Sequence, residues 1–265
     1  MLATVTDPRG HVLVDIGPDD FVVQEGGTSR EILSVRVADY PIVLLLDMNL
    51  ASPEDQELMR RAAAHFIERL GNDRPAIAGT IAAVPRLLTT FDDDRKTVLD
   101  RINALTMDRA PDAAASDAGP RAPSRVSDLL RAAGLAANTL HATGSLFSSI
   151  VILSAAAADG GDTPPEALAS IIDSGAIVHV VAEQTAASAD RVPAALRTIV
   201  NQTRGEFTPI YSAASYQAAL DRLVDRMASE ILIEYIVPPG SRPVDAKVGV
   251  RLPGARVRGL GVAPK

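Results

Sequence analysis

The chain has 265 residues and a net charge of −7, and 47% of its residues are hydrophobic while 3% are aromatic. The acidic balance argues against a sequence-independent nucleic-acid binder, which would carry a basic stripe. The absence of cysteine excludes disulfides, thiolate metal sites and cysteine nucleophiles, and no apolar run approaches the roughly 20 residues of a membrane span.

The first 36 residues predict short strands joined by turns. Turn signals at Asp7–Gly10 (DPRG) and Glu25–Ser29 (EGGTS) lie beside weakly alternating segments that are typical of half-buried strands. The opening residues show no basic segment followed by an apolar core, so no signal peptide is predicted in this stretch.

From Pro41 the pattern changes to strands that alternate with helices. The predicted strands are short apolar runs, at Ile42–Leu46, Ala76–Val84, Arg86–Thr90, Ser149–Ser154, Ala176–Glu183 and Glu206–Ile210. Helical spacing and cap signals predict helices over about 52–70, 93–105, 124–140, 163–174, 190–202 and 213–228. This alternation predicts a mainly parallel sheet that is covered on both faces, the doubly wound α/β class.

Two further segments depart from that pattern. Residues 106–123 are rich in Ala, Asp and Pro and lack periodicity, which predicts a mobile loop. After Ser229 the sequence becomes strand-like again. We therefore expect residues 1–38 and 230–265 to pack together as one small accessory sheet beside a domain over 39–229, because the ends of compact domains often lie close together.

An aspartate, Asp47, follows the apolar run Ile42–Leu46 directly. In open α/β sheets, ligands and ions bind at the carboxyl ends of the strands. Asp47 is therefore a candidate ion ligand. The alternative is a structural aspartate that accepts backbone N–H bonds from the loop after the strand.

Four segments, in order, resemble the von Willebrand factor A-like proteins, and in particular the bacterial VWFA-related branch common in Acidobacteria. They are VTDPRGHVLVDIGPDDFVVQEGGTSREI in the head, LLLDMNLAS at the first core strand, PRLLTTFDDDRKTVLDRINAL, and the tail ILIEYIVPPGSRPVDAKVGVRLPGARVRG. The resemblance implies a doubly wound, Rossmann-like sheet. It also implies a bacterial protein that is exported to the periplasm or the cell exterior.

The resemblance further implies a metal-ion-dependent adhesion site, in which oxygen ligands from three loops hold a divalent cation that captures a partner's carboxylate. Asp47 matches the first aspartate of that site, while Asn49 and Ala51 stand at its two serine positions and Ser124 at its threonine position. An asparagine oxygen can bind a metal, but an alanine cannot. Ser52 lies one residue too far along and is expected to cap the following helix.

The last aspartate position of the site has two alignments. Strand length places Ala155 there, whereas the match to DGGDT at Asp159–Thr163 places Asp159 there. The fuller site would hold Mg²⁺, Mn²⁺ or Ca²⁺ with Asp47, Asn49, Ser124 and Asp159. Without Asp159, a single carboxylate would bind Mg²⁺ weakly, because this ion gives up its water reluctantly. The sequence thus predicts a degenerate site.

The sequence has no G-x-S-x-G motif and no phosphate loop with its lysine, which predicts a protein that is not an enzyme. The first hypothesis is a protein-binding module for adhesion or assembly, with another protein as partner. Its predicted surface is Asp47, Asn49, Ser52, Ser124, Asp159 and Asp162. The alternatives are a Mg²⁺-dependent module that captures a partner carboxylate, and a scaffold of the bacterial envelope that self-associates through exposed strand edges.

Overall fold

The computed structural model describes residues 1–47, 52–82, 84–105, 126–154, 165–184, 194–238 and 246–262. The chain divides into two compact units. The α/β unit is Tyr40–Arg222, and the terminal unit combines Met1–Asp39 with Leu223–Lys265. The predicted domain boundaries of 1–38, 39–229 and 230–265 stay predictions.

The strands and helices are numbered in chain order. The strands are β1 (Leu2–Thr6), β2 (Phe21–Glu25), β3 (Thr28–Arg30), β4 (Ile32–Val37), β5 (Ile42–Asp47), β6 (Ala76–Ile81), β7 (Arg86–Leu87), β8 (Ser149–Ser154), β9 (Ile177–Glu183), β10 (Phe207–Ile210), β11 (Glu230–Tyr235), β12 (Ala246–Val250) and β13 (Arg256–Gly261). The helices are α1 (Pro53–Arg69), α2 (Arg95–Asn103), α3 (Val126–Ala142), α4 (Pro165–Asp173), α5 (Ala194–Gln202) and α6 (Tyr216–Ala228). Short 3₁₀ turns lie at Pro18–Asp20 and Ala213–Ser215. None of the described helices is both long and apolar enough to cross a membrane.

The α/β unit is built on a sheet whose described strands have the order β10-β9-β8-β5-β6-β7. All neighbouring pairs are parallel except β6 with β7, which is antiparallel. Every residue of the central strands β5 and β8 is buried, as expected for parallel strands that are covered on both faces. The predicted class, a mainly parallel α/β sheet flanked by helices, is confirmed.

Side chains of β5 alternate between the two faces of this sheet. Val43 and Leu45 belong to the same apolar cluster as Leu129 and Ala133 of α3. Leu44, which points to the opposite face, is also fully buried. Three further alanines of α3 belong to the cluster of Val43 as well, namely Ala132, Ala136 and Ala137.

Cap residues fix where two helices begin. Ser52 Oγ accepts a hydrogen bond of 3.0 Å from the Asp55 N–H, and Pro53 is the first residue of α1. The predicted capping role of Ser52 is therefore confirmed. Asp94 caps α2 in the same way, because its carboxylate accepts a bond of 2.7 Å from the Thr97 N–H.

The terminal unit contains two antiparallel sheets, with the orders β13-β1-β11-β4 and β12-β2-β3. The predicted accessory β-structure of head and tail is therefore confirmed, and it consists of two sheets where one was expected. An apolar sheet face needs a second layer to cover it. Ala3 and Val5 of β1 share an apolar cluster with Phe21 and Val23 of β2, so the two sheets cover each other.

Candidate functional site

Asp47 is the last residue of β5, and β5 lies between β8 and β6 in the sheet. Ser154 is the last residue of β8, so the two side chains meet at the carboxyl edge of the sheet. Ser154 Oγ donates a hydrogen bond of 3.1 Å to Asp47 Oδ2, and both residues are fully buried. The carboxylate at the candidate ion position thus has a hydroxyl of its own chain as a partner.

Tyr216, the first residue of α6, extends this arrangement. Its phenol O–H donates a hydrogen bond of 2.7 Å to the backbone oxygen of Ser154, and its side chain is fully buried. Burial raises the pKa of Tyr216 far above its ordinary value, and the carboxylates of Glu183, Asp47 and Asp55 raise it further. The phenol therefore keeps its proton at neutral pH and acts as a donor. We call Asp47, Ser154 and Tyr216 the buried network.

Two more carboxylates lie near the buried network. Glu183 ends β9, and Asp55 lies in the first turn of α1. Partial burial raises the pKa of Glu183, and repulsion from Asp55 raises it further. The repulsion from Asp55 means that these two carboxylates lie near each other at this edge of the sheet.

The structure places two residues of the predicted surface, Asp47 and Ser52, and Ser52 is engaged in capping α1. The other predicted residues, Asn49, Ser124, Asp159 and Asp162, lie outside the described residues, and so does Ala155. The choice between Ala155 and Asp159 therefore stays a prediction.

Sequence reasoning missed Ser154, Glu183 and Tyr216. A signal existed for the first two, because each ends a predicted strand and so lies at the same sheet edge as Asp47. No local signal pointed to Tyr216, which bonds to a residue 62 positions earlier in the chain.

The described residues alone do not fit a divalent cation. Among them, no group of three or more His, Cys, Asp or Glu side chains could hold a metal ion. Asp47 is the one predicted ligand that the structure describes, and one oxygen of its carboxylate accepts the Ser154 hydroxyl. One buried carboxylate does not complete the oxygen shell that Mg²⁺ requires.

Comparison with known proteins finds no matching family model and no matching curated protein. Solved structures do match. A von Willebrand factor type A protein from Catenulispora acidiphila superposes with a TM-score of 0.52 at 13% identity, over 85% of this chain and 49% of that one. Proximal thread matrix protein 1 from the mussel byssus gives a TM-score of 0.54 at 12% identity, over 76% and 49% of the two chains.

A second structure of the mussel protein, with a zinc-occupied MIDAS motif, gives a TM-score of 0.52 at 9% identity, over 72% of this chain and 48% of that one. The chain spans about half the length of these three solved structures. At these identities the likeness concerns the fold alone, and that fold is the von Willebrand factor A fold. The bacterial branch suggested by the sequence stays a prediction.

Proposed function

We propose that this chain is a non-enzymatic protein-interaction module that binds its partner at the carboxyl edge of the α/β sheet without needing a cation. The hydrogen bond from Ser154 to Asp47 carries this proposal. In the adhesion sites of similar proteins, the resemblance implies that the first aspartate holds a metal ion. Here the same carboxylate is fully buried and engaged by a hydroxyl of its own chain.

The exposed part of this edge supports contact with another protein. Tyr211 follows β10 and is 72% exposed, and Val84, beyond β6, is also exposed. Because β10 and β6 run parallel to β5, both residues lie at the same edge as Asp47. Tyrosine is enriched among the residues that dominate binding energy at protein interfaces.

The charges at this edge suggest the chemistry of the partner. Asp55 and Glu183 lie near each other and make the edge acidic. An interface is favoured when opposite potentials face each other. We therefore expect the partner to present lysine or arginine side chains, whereas capture through a metal ion would require a carboxylate.

The absence of enzymatic activity is part of the proposal. The hydroxyls of Ser154 and Tyr216 are buried and already donate hydrogen bonds within the chain. A nucleophile must reach its substrate, and these two groups do not reach the surface.

The second candidate function is Mg²⁺-dependent capture of a partner carboxylate. The zinc-occupied motif in the mussel protein favours it, because Asp47 stands at the first ligand position that the sequence resemblance assigns. A third candidate, self-association through strand edges, concerns the terminal unit and is developed below.

Calorimetric titration of Mg²⁺, Mn²⁺ and Zn²⁺ into the wild type and Asp47→Asn separates the first two candidates. We expect no heat of binding up to millimolar ion in either protein. Micromolar binding by the wild type that disappears in Asp47→Asn would overturn the cation-independent proposal and establish the second candidate.

Affinity capture from an extract of the source organism tests the surface. The matched variants are Tyr211→Ala, at the proposed edge, and Leu146→Ala, an exposed residue that precedes β8 and so lies at the opposite edge. We expect a specific protein to be retained in EDTA by the wild type and by Leu146→Ala, and at least tenfold less by Tyr211→Ala. Retention that EDTA abolishes, or that Tyr211→Ala leaves unchanged, would contradict the proposal.

A further inference from the structure

The strand β4 forms an outer edge of the sheet β13-β1-β11-β4, and in the described residues no strand pairs with its other side. The Ala38 N–H donates a hydrogen bond of 2.9 Å to the Glu230 oxygen. The backbone N–H and C=O groups of successive residues in a strand point to opposite sides, so those of Arg36, like those of Ala38, point toward β11. The N–H and C=O groups of Val35 and Val37 therefore point outward.

This outer edge carries exposed aliphatic side chains. Leu33 is 59% exposed and Val37 is 46% exposed. Ile236, which follows β11 and whose N–H bonds the Glu31 oxygen, is also exposed. Natural edge strands are usually blunted by charges that face the solvent. The charge within β4 is Arg36, and it is paired at 2.5 Å with Asp39 of the same chain.

We propose that β4 pairs antiparallel with β4 of a second copy, about a two-fold axis at Val35, so that the two sheets join into one. In a two-fold interface each residue meets its symmetry mate in a fixed register. In a register centred on Val35, the outward N–H and C=O groups of Val35 in one copy lie opposite those of Val35 in the second copy. The same register sets Leu33 of each copy opposite Val37 of the other. A register centred on Arg36 would instead set two guanidinium groups against each other.

The charges on the other face of β4 complement each other in the same register. Arg36 of one copy lies opposite Ser34 of the other copy. The Ser34 hydroxyl donates a hydrogen bond of 2.8 Å to the carboxylate of Glu234. Arg36 is already held by Asp39 and attracted by Glu234 of its own chain. In this register it would also approach Glu234 of the other copy, and symmetry makes this contact twice.

The pairing has a natural limit at Leu33. Ser34 pairs with Glu234 and Ile32 pairs with Tyr235, so Leu33 is the extra residue of a bulge. Bulges bend the strand and end regular pairing. The proposed contact therefore runs from Leu33 to Val37, which predicts a weak dimer that forms at high protein concentration.

Sedimentation equilibrium of the full chain over a range of concentrations is the first test. We expect the mass to rise from 27.8 kDa toward twice that value as concentration increases. Val37→Lys should weaken the dimer at least tenfold, while Val262→Lys, an exposed residue beyond the opposite edge strand β13, should not. A wild type that stays monomeric at its highest soluble concentration would overturn the proposal, as would a dimer that Val37→Lys leaves intact.

A charge exchange tests the complementary face and guards against simple misfolding. Arg36→Glu should weaken the dimer at least tenfold, because it places an acid near Glu234 of both copies, its own chain included. Adding Glu234→Arg should restore the dimer. If the double variant associates no better than Arg36→Glu although both have wild-type circular dichroism, the charge contact is refuted.

The register has its own test, because the chain has no cysteine. The Cα atoms of a hydrogen-bonded antiparallel pair are about 5.5 Å apart, which is within the range of disulfides. Under mild oxidation, Val35→Cys should form a covalent dimer. Val37→Cys should not, since it faces Leu33. The reverse pattern would overturn the proposed axis.

Discussion

Replacing Tyr216 with phenylalanine measures how much the buried network stabilises the α/β unit. The change removes one hydroxyl, and the phenol O–H bonds the backbone oxygen of Ser154 at 2.7 Å with both groups shielded from water. A buried hydrogen bond between neutral groups contributes about 1 kcal/mol, and leaving its acceptor unsatisfied adds to the loss. We expect Tyr216→Phe to lower the free energy of unfolding by about 1–2 kcal/mol.

Urea unfolding at pH 7 provides the measurement, and Tyr211→Phe is the matched control. It removes the same hydroxyl from a side chain that is 72% exposed. An exposed hydroxyl can bond water in both the folded and the unfolded chain, so its loss changes stability little. The free energy of unfolding of the control should therefore lie within about 0.5 kcal/mol of the wild-type value. A Tyr216→Phe variant as stable as this control would refute the argument that the network is structural.

The stability difference between the wild type and Tyr216→Phe should also depend on pH, and its direction can be predicted. The folded pKa of Tyr216 is raised above its ordinary value of 10.0, mainly by burial. The phenol in the unfolded chain therefore ionises first as the pH rises. The contribution of Tyr216 to the free energy of unfolding is fully present below about pH 10. Above that pH it falls by about 1.4 kcal/mol per pH unit. We expect the stability difference between the wild type and Tyr216→Phe to narrow above pH 10, and a constant difference would contradict the assigned burial.

Two further predictions concern charge and backbone packing. Burial and then Asp55 raise the pKa of Glu183, so its ionised form is disfavoured on folding. Glu183→Gln should therefore raise the urea midpoint at pH 7. This gain should shrink as the pH falls through the raised pKa of the wild-type carboxyl, because the protonated carboxyl is no longer disfavoured; a gain that is independent of pH would argue against this cause. A Cβ at Gly205 would overlap the carbonyl oxygen of Val178. Gly205→Ala should thus cost at least about 2 kcal/mol, whereas Gly134→Ala, in open space within α3, should gain about 0.5–1 kcal/mol. Equal thermal denaturation midpoints for the two alanine variants would contradict the packing argument.

The core of the fold was predictable because its signals are local. Parallel strands covered on both faces need continuous apolar runs, and Ile42–Leu46 and Ser149–Ser154 are such runs. The beginning of α1 was equally clear, since a serine cap and a proline at the first helical position leave few alternatives. The pairing within the terminal unit was less predictable, because alternation shows that a strand has one buried face without showing which strand lies beside it.

The candidate site was predictable in part for the same reason. Asp47 could be located, since it directly follows an apolar run. Its bond to Ser154 joins strands that are adjacent in space but separated by 107 positions in sequence. Tyr216 reaches the site from a helix that begins still later, after a short 3₁₀ turn that helical periodicity did not distinguish from α6.

The arrangement of β1 has a consequence for how the protein is made. This strand lies between β11 and β13, which are both synthesised after the whole α/β unit. On the ribosome, the head of the chain must therefore wait, with apolar residues such as Val5 and Val23 exposed, until the tail emerges. Folding of the intervening α/β unit shortens the effective loop that separates the two ends, and so lowers the entropy lost when they meet. The terminal unit is thus completed after the α/β unit, and a premature stop before residue 230 would release a chain whose head lacks the strands β11 and β13 that it pairs with.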